Sequence, residues 1–216
     1  MKKLEVIDSH TKFFKHFEFE FHPTYMLYRR AFAQGQQVIF IHYTENSEAT
    51  FLEYSLGVRI HAIEEIIHKF LPSLSDYSER SITLVQTPDK IDSTLPRRFK
   101  IENEGQLTDS IVVAEDFFVT KGFDWLNEMI DPHNLEKAFV FPKDEELMSQ
   151  NFVYNSFRGV TLAKLFNEED YPYLRNKYLD QIRQKEMTPF TIASFLQLLD
   201  YLDKLADLGK RSQPPR

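Results

Sequence analysis

The sequence predicts an α+β fold: an antiparallel β-meander covered by an amphipathic helix, with a helical C-terminal lobe. Three observations carry this. Between Tyr25 and Gly57 three short segments read as β-strands that close on tight turns. A run with 3.6-residue periodicity follows at once, with Ile60, Ile63, Ile67 and Phe70 on one stripe. Beyond residue 140 the strand patterns give way to helical ones.

Residues 1–16 read as a short leading helix or arm that docks through Phe13 and Phe14. Phe17–Phe21 alternates strictly and suits a strand, which His22-Pro23 ends. Tyr25–Ala33 and Gln36–Thr44 are the next two strands, with Gln34-Gly35 as a two-residue hairpin loop. The polar stretch Glu45–Glu48 is the following turn and Ala49–Gly57 the third strand of the meander. Val58–Leu71 is the helix expected to cover the sheet, and Pro72 ends it.

Ser81–Gln86 and Arg97–Glu102 suit two further strands, joined by a loop that holds Pro88 and Pro96. Thr108 or Asp109 can cap a helix that carries Ile111, Val112, Phe118 and Val119. Gly122 should interrupt it before Trp125, Leu126, Met129 and Ile130 resume the stripe, and Asp131-Pro132 stops it. Pro142–Gln150 is polar and reads as a loop. Helices are expected over Thr161–Asn167, Tyr171–Glu186 and Pro189–Leu208, the last with Thr188 as cap and Pro189 at the first helical position. The organisation this implies is a single α+β domain over residues 1–210, made of a sheet-and-helix part (1–140) and a helical lobe (141–210). The tail 211–216 has two prolines and no apolar anchor, and is expected to be disordered.

Composition bounds the function by exclusion. The 216 residues are 42% hydrophobic and 27% charged, a globular balance. Net charge is −7, and residues 109–216 hold 18 acidic against 13 basic side chains. With no basic block, the chain lacks the footprint of a nucleic-acid binder or of a polybasic membrane patch. No cysteine is present, which removes disulfides, thiolate metal sites and a cysteine nucleophile. The N-terminus has no apolar stretch of signal-peptide length, so a soluble, cytoplasmic protein is expected. Phenylalanine is over-used, with 20 copies beside 10 tyrosines, which fits an aromatic core or an aromatic-lined pocket.

The six glycines are Gly35, Gly57, Gly105, Gly122, Gly159 and Gly209, and the nearest two are 17 residues apart. Phosphate-cradling loops need clustered glycines so that backbone N–H groups can approach the anion. No Walker A loop, dinucleotide fingerprint or G-x-S-x-G elbow can be written, and no cofactor is expected. One metal-like spacing occurs: His61, Glu65 and His68 fall at i, i+4 and i+7 of the helix. They also lie opposite its apolar stripe, where a solvated face is the simpler account, and no resident metal is expected. Asp89/Asp92 and Glu168/Glu169/Asp170 could supply acid–base groups, but loop and cap charges explain both.

The face assignment is more specific. With turns at Gln34-Gly35 and Glu45–Glu48, Arg29 pairs with Phe40, Leu27 with His42, Phe40 with Glu53 and His42 with Phe51. Side chains directly opposite share a face. One face then holds Met26, Tyr28, Ile39, Ile41, Tyr43, Leu52, Tyr54 and Leu56, a core face. The other holds Leu27, Arg29, Phe40, His42, Phe51 and Glu53. Its mixture of aromatic and charged groups makes Arg29, Phe40, His42, Phe51 and Glu53 the candidate site for a small ligand or protein partner. The function expected is therefore non-enzymatic binding or regulation. The alternatives are an enzyme that pairs His42 with Glu53 or Arg29 on the same face, or a structural module. For the last, Phe195, Leu198, Leu199, Leu202 and Leu205 form a stripe that could be core or the seam of a homodimer.

Overall fold

The structure is a computed structural model that describes residues 3–47, 49–71, 80–139, 152–185 and 187–211. The chain is α+β and divides into two compact units. One comprises residues 1–61 and 82–130, the other residues 62–81 and 131–216.

The first unit is built on an antiparallel sheet. After helix α1 (Lys3–His16) come β1 (Glu20–His22), β2 (Leu27–Phe32), β3 (Gly35–Glu45) and β4 (Thr50–Ile60). Their order in the sheet is sequential. The outer edge of β4 is shared by two short strands, β5 (Leu84–Gln86) opposite Leu56–Val58 and β6 (Phe99–Ile101) opposite Thr50–Leu52. Between them lies a four-residue helical turn, α3 (Pro88–Ile91). The unit ends in a long helix of two segments, α4 (Glu104–Phe117) and α5 (Phe123–Glu128), joined by a π-helical turn over Phe118–Gly122. Asn103 caps α4, its side chain accepting from the Gln106 N–H, five residues before the expected cap. Gly122 does not break the helix. It is absorbed in the π turn, where a side chain would meet the rings of Phe117 and Phe118.

Both hairpin turns sit one residue from their expected places. The first loop is Ala33-Gln34, closed by the pair Phe32↔Gly35, and the second turn is closed by Glu45↔Thr50. Moving a turn by one residue moves the pairing by two. Leu27 therefore faces Phe40 rather than His42, and His42 faces Glu53 rather than Phe51. Two residues are one full period of side-chain alternation, so both face compositions survive the change. Gly35 is not a turn residue either. It starts β3 where the Arg59 carbonyl comes so close that a Cβ would collide with it, a close approach that only glycine permits.

The core face is as expected: Tyr28, Ile39, Ile41, Leu52, Tyr54 and Leu56 are at most 2% exposed. The helix that covers it is different. Val58–Ile60 extend β4, Val58 opposite Leu84 and Ile60 opposite Gly35, because β-branched residues with strand partners on both sides fit a sheet better than a first helical turn. Helix α2 starts only at His61 (His61–His68). The amphipathic helix on the sheet is α1. Its Phe14 packs on Tyr28 with ring centroids 4.7 Å apart and on Phe118 at 5.1 Å. The Tyr28 hydroxyl donates to the Ile7 carbonyl at 2.7 Å.

The second unit is helical. It contains α2 from Ala62 onward, α6 (Pro132–Lys137), α7 (Phe152–Phe166), α8 (Tyr171–Gln184) and α9 (Pro189–Arg211). Ile66 and Ile67 of α2 share one apolar cluster with Phe157, Val160, Tyr178, Ile182 and Phe195. The stripe Phe195, Leu198, Leu199 and Leu202 is wholly buried in that cluster, so the unit uses it as its own core. Gly159 leaves room for the Tyr178 ring, whose hydroxyl donates to the Phe139 carbonyl at 3.0 Å. Helix α7 begins well before the expected Thr161. The expected loop Pro142–Gln150 and the tail 212–216 lie outside the described residues.

Candidate functional site

The outer face of the sheet is a ladder of cross-strand rows. From the Ala33-Gln34 turn upward they read Ala31/Gln36/Arg59, Arg29/Val38/Gly57, Leu27/Phe40/Ser55, His42/Glu53 and Thr44/Phe51. Rows on one face are two residues apart, roughly 7 Å. Arg29 and the His42/Glu53 row are therefore separated by roughly 13 Å along the strands, too far for one small ligand to bridge.

Between them lies a dry patch. Leu27, Val38 and Ile82 are buried together, with Tyr25 and Phe40 packed against them. Ile82, in the segment leading to β5, thus covers part of a face that sequence left open. Beyond the patch, the half-buried Phe40 stacks with His42, centroids 6.0 Å apart, and His42 stands directly opposite Glu53. Phe51 is capped by the Arg98 guanidinium 4.2 Å above its ring, a cation–π contact. The five predicted site residues are thus split. Phe40, His42, Glu53 and Phe51 form a continuous strip, and Arg29 stands apart.

Arg29 has a different setting. It lines a cavity of about 490 Å3 with Glu18, Glu20, Arg30, Ala31, Gly35, Gln36 and His61. The cavity follows from a contrast of sizes. Ala31 and Gly35 are small, and long polar side chains surround them. Glu20 is directly opposite Arg29 on β1, which places both on one face. His61 is held at the same end of the sheet by its backbone N–H, which donates to the Gln34 carbonyl at 3.0 Å. The structure therefore brings together Arg29, expected on the binding face, and His61, expected on the solvated face of a helix in a metal-like spacing. Sequence periodicity could not join them, because it placed His61 inside a helix rather than next to a strand end.

Arg30 is adjacent but committed. Its Nε donates to Gln37 Oε1 at 2.7 Å, its Nη2 to Asn127 Oδ1 at 2.8 Å, and its Nη1 to the Phe17 carbonyl at 3.2 Å. Its guanidinium also lies 4.7 Å from the Phe19 ring centroid. Burial lowers its pKa, and the charge of Glu18 acts against that shift. Arg29 is exposed and, among the described residues, has no ion-pair or hydrogen-bond partner.

The spacing His61, Glu65, His68 is not one cluster. Glu65 is exposed, and the inward carboxylate is its neighbour Glu64, fully buried. His68 Nε2 lies 3.8 Å from Glu64 Oε2. Arg158 grips Glu64 with two hydrogen bonds, Nε to Oε1 at 2.9 Å and Nη2 to Oε2 at 3.1 Å. Ser81 Oγ donates to the same carboxylate and accepts from Arg158 Nη2 at 2.8 Å. Among the described residues, no three His, Asp or Glu side chains are placed to hold a metal ion. A second buried polar group in the first unit also escaped the sequence. His10 Nε2 is 2.9 Å from the Tyr54 hydroxyl, and its Nδ1 is 3.4 Å from Glu115 Oε1. Burial pushes the His10 pKa down to about 4 and raises those of Tyr54 and Glu115.

Asp92, Glu168 and Asp170 of the acidic groups have structural partners. Asp92 is held by Lys121 at 2.6 Å and by Thr94, contacts that lower its pKa to about 2, too acidic for proton transfer near neutrality. Glu168 lies 3.6 Å from Lys164, and Asp170 accepts from Asn167. Among the described residues no helix is long and apolar enough to cross a membrane. No family model, curated protein or solved structure matches the chain.

Proposed function

We propose that this is a binding or regulatory protein whose ligand enters the cavity at the turn end of the outer sheet face, with Arg29 as its anchor. The observation that carries the reading is the convergence of Arg29 and His61 on one cavity whose floor is kept small by Ala31 and Gly35. Its volume of about 490 Å3 falls within the roughly 300–1,000 Å3 of small-molecule sites. Arg29 supplies a planar fork for a carboxylate or phosphate, and His61 a ring N–H that can donate a further hydrogen bond. The strip Phe40, His42, Phe51 and Glu53 is the second part of the proposed surface, suited to a partner segment that lies along the strands beyond the reach of a small ligand.

The enzyme alternative rests on a different observation, the direct pairing of His42 with Glu53, which would orient an imidazole as a base. Ser55 and Thr44 stand in the rows flanking that pair, but the cavity lies at the other end of the face. Binding is the reading with a cavity behind it.

Amide chemical shifts of labelled protein titrated with a panel of small polar metabolites test the proposal. The expected result is a saturable change centred on Arg29, Ala31, Gly35, Gln36 and His61, abolished by Arg29→Gln. Saturable changes that centre elsewhere, or none across the panel, would overturn it.

A further inference from the structure

We infer that the ligand of this cavity is a small zwitterion of the amino-acid class, its carboxylate held by Arg29 and His61 and its ammonium by Glu18 and Glu20. The inference rests on the ligand-binding reading of the same cavity and adds the chemical class.

The wall charges carry it. Arg29, Arg30 and His61 stand on the same cavity as Glu18 and Glu20. Arg30 is spent on Gln37, Asn127 and the Phe17 carbonyl, so Arg29 is the cationic group open to a ligand, with the His61 ring beside it as a hydrogen-bonding group. Glu20 is across the strand pair from Arg29, yet among the described residues neither makes an ion pair or a side-chain hydrogen bond. An anion alone would gain Arg29 but face two carboxylates. A cation alone would gain the carboxylates but face the Arg29 guanidinium. A ligand with both charges satisfies both sides, and charge-assisted hydrogen bonds at each end fix its orientation.

Glu18 adds an independent point. Its φ is +66°, the left-handed region, which disfavours any residue with a Cβ. Its backbone is set by the end of α1, where the Glu18 N–H donates to the Lys15 carbonyl and the Phe19 N–H to the Phe14 carbonyl. Glycine would be easier at this position, so a glutamate there keeps a carboxylate on the cavity at the expense of backbone comfort. The same fact makes Glu18→Gly a clean probe, because it should fold at least as well as the parent.

Calorimetric or NMR titration tests this with three sets of probes: the twenty common amino acids, their amine-only and carboxylate-only counterparts, and inorganic phosphate. At least one amino acid should bind saturably. Its singly charged counterparts, and phosphate, should bind roughly tenfold or more weakly, since each loses one set of charge-assisted hydrogen bonds. Arg29→Gln and Glu18→Gly should each impose a loss of similar size without lowering the melting temperature. Phosphate or a carboxylate-only probe binding as tightly as the amino acid, and still lost in Arg29→Gln, would overturn the zwitterion class while leaving the site. Amino-acid binding unchanged in Arg29→Gln would overturn both, as would the absence of any ligand-induced change at the cavity.

Discussion

Each of the two units buries a cluster of titratable side chains around one carboxylate or imidazole, Glu64 or His10, and they keep these stable by opposite means. In the helical unit the Glu64 carboxylate sits in a bidentate clamp with Arg158, and Ser81 bridges the two. In the sheet unit His10 is held neutral between Tyr54 and Glu115, with burial as the cause of its depressed pKa. A buried charge must be paired or suppressed. The first cluster pairs; the second suppresses. The difference teaches that the two should fail under different challenges: the first on loss of a partner, the second on a change of pH.

The largest effect is expected from breaking the ion pair. Glu64→Ala leaves the Arg158 guanidinium, 11% exposed, without its counter-charge, and should destabilise by about 3–5 kcal/mol. Arg158→Met does the same to Glu64. The double replacement Glu64→Leu/Arg158→Met removes both charges and should recover most of the loss, which a double-mutant cycle in urea reads directly. Additive single losses would show that the residues are not coupled as drawn.

Acidification should strike the other cluster. His10 has a folded pKa of about 4 against an unfolded value of about 6.5. Its stabilising contribution is therefore complete above pH 6.5 and lost as pH falls towards 4, because the unfolded chain binds the proton first. The loss amounts to about 3 kcal/mol. Glu115 works in the opposite sense: burial raises its pKa, so its charged form costs stability at neutral pH and acid relieves that cost. Unfolding free energy measured from pH 7.5 to 4 should fall more steeply in the parent than in His10→Gln. Parallel curves would mean that His10 is not buried neutral.

Much of the sheet was legible in the sequence because strand alternation is local. The core face from Tyr28 to Leu56 came out correctly although both turns were placed one residue off, since a shift of two in pairing preserves faces. Ala33-Gln34 was missed because Gly35 looked like a turn glycine, when its actual constraint is the Arg59 carbonyl of another strand. Non-local facts of this kind have no sequence signature. The same holds for the site. Arg29 was assigned to its face, but the company of His61 depends on where β4 ends. Sequence spacing singles out Glu65 rather than Glu64, because only the tertiary partner, Arg158, reveals which carboxylate turns inward. The covering helix was misassigned for a related reason: α1 and α2 are both amphipathic, and periodicity does not say which surface each one meets.

The smallest expected effects sharpen the comparison through the two hydroxyls. Tyr54→Phe removes the group that faces His10 Nε2 at 2.9 Å and leaves a buried ring nitrogen unsatisfied, at a cost of about 1–3 kcal/mol. Ser81→Ala also removes a buried hydroxyl, but Arg158 keeps both of its hydrogen bonds to Glu64. No charge loses its partner, and the expected cost is only about 0.5–1.5 kcal/mol. Chemical denaturation of the two variants side by side decides the matter. If pairing protects the helical cluster against loss of one hydroxyl, Tyr54→Phe is the more damaging change. If Ser81→Ala costs as much as Glu64→Ala, the serine rather than the arginine holds that carboxylate, and the contrast between a paired and a suppressed cluster falls.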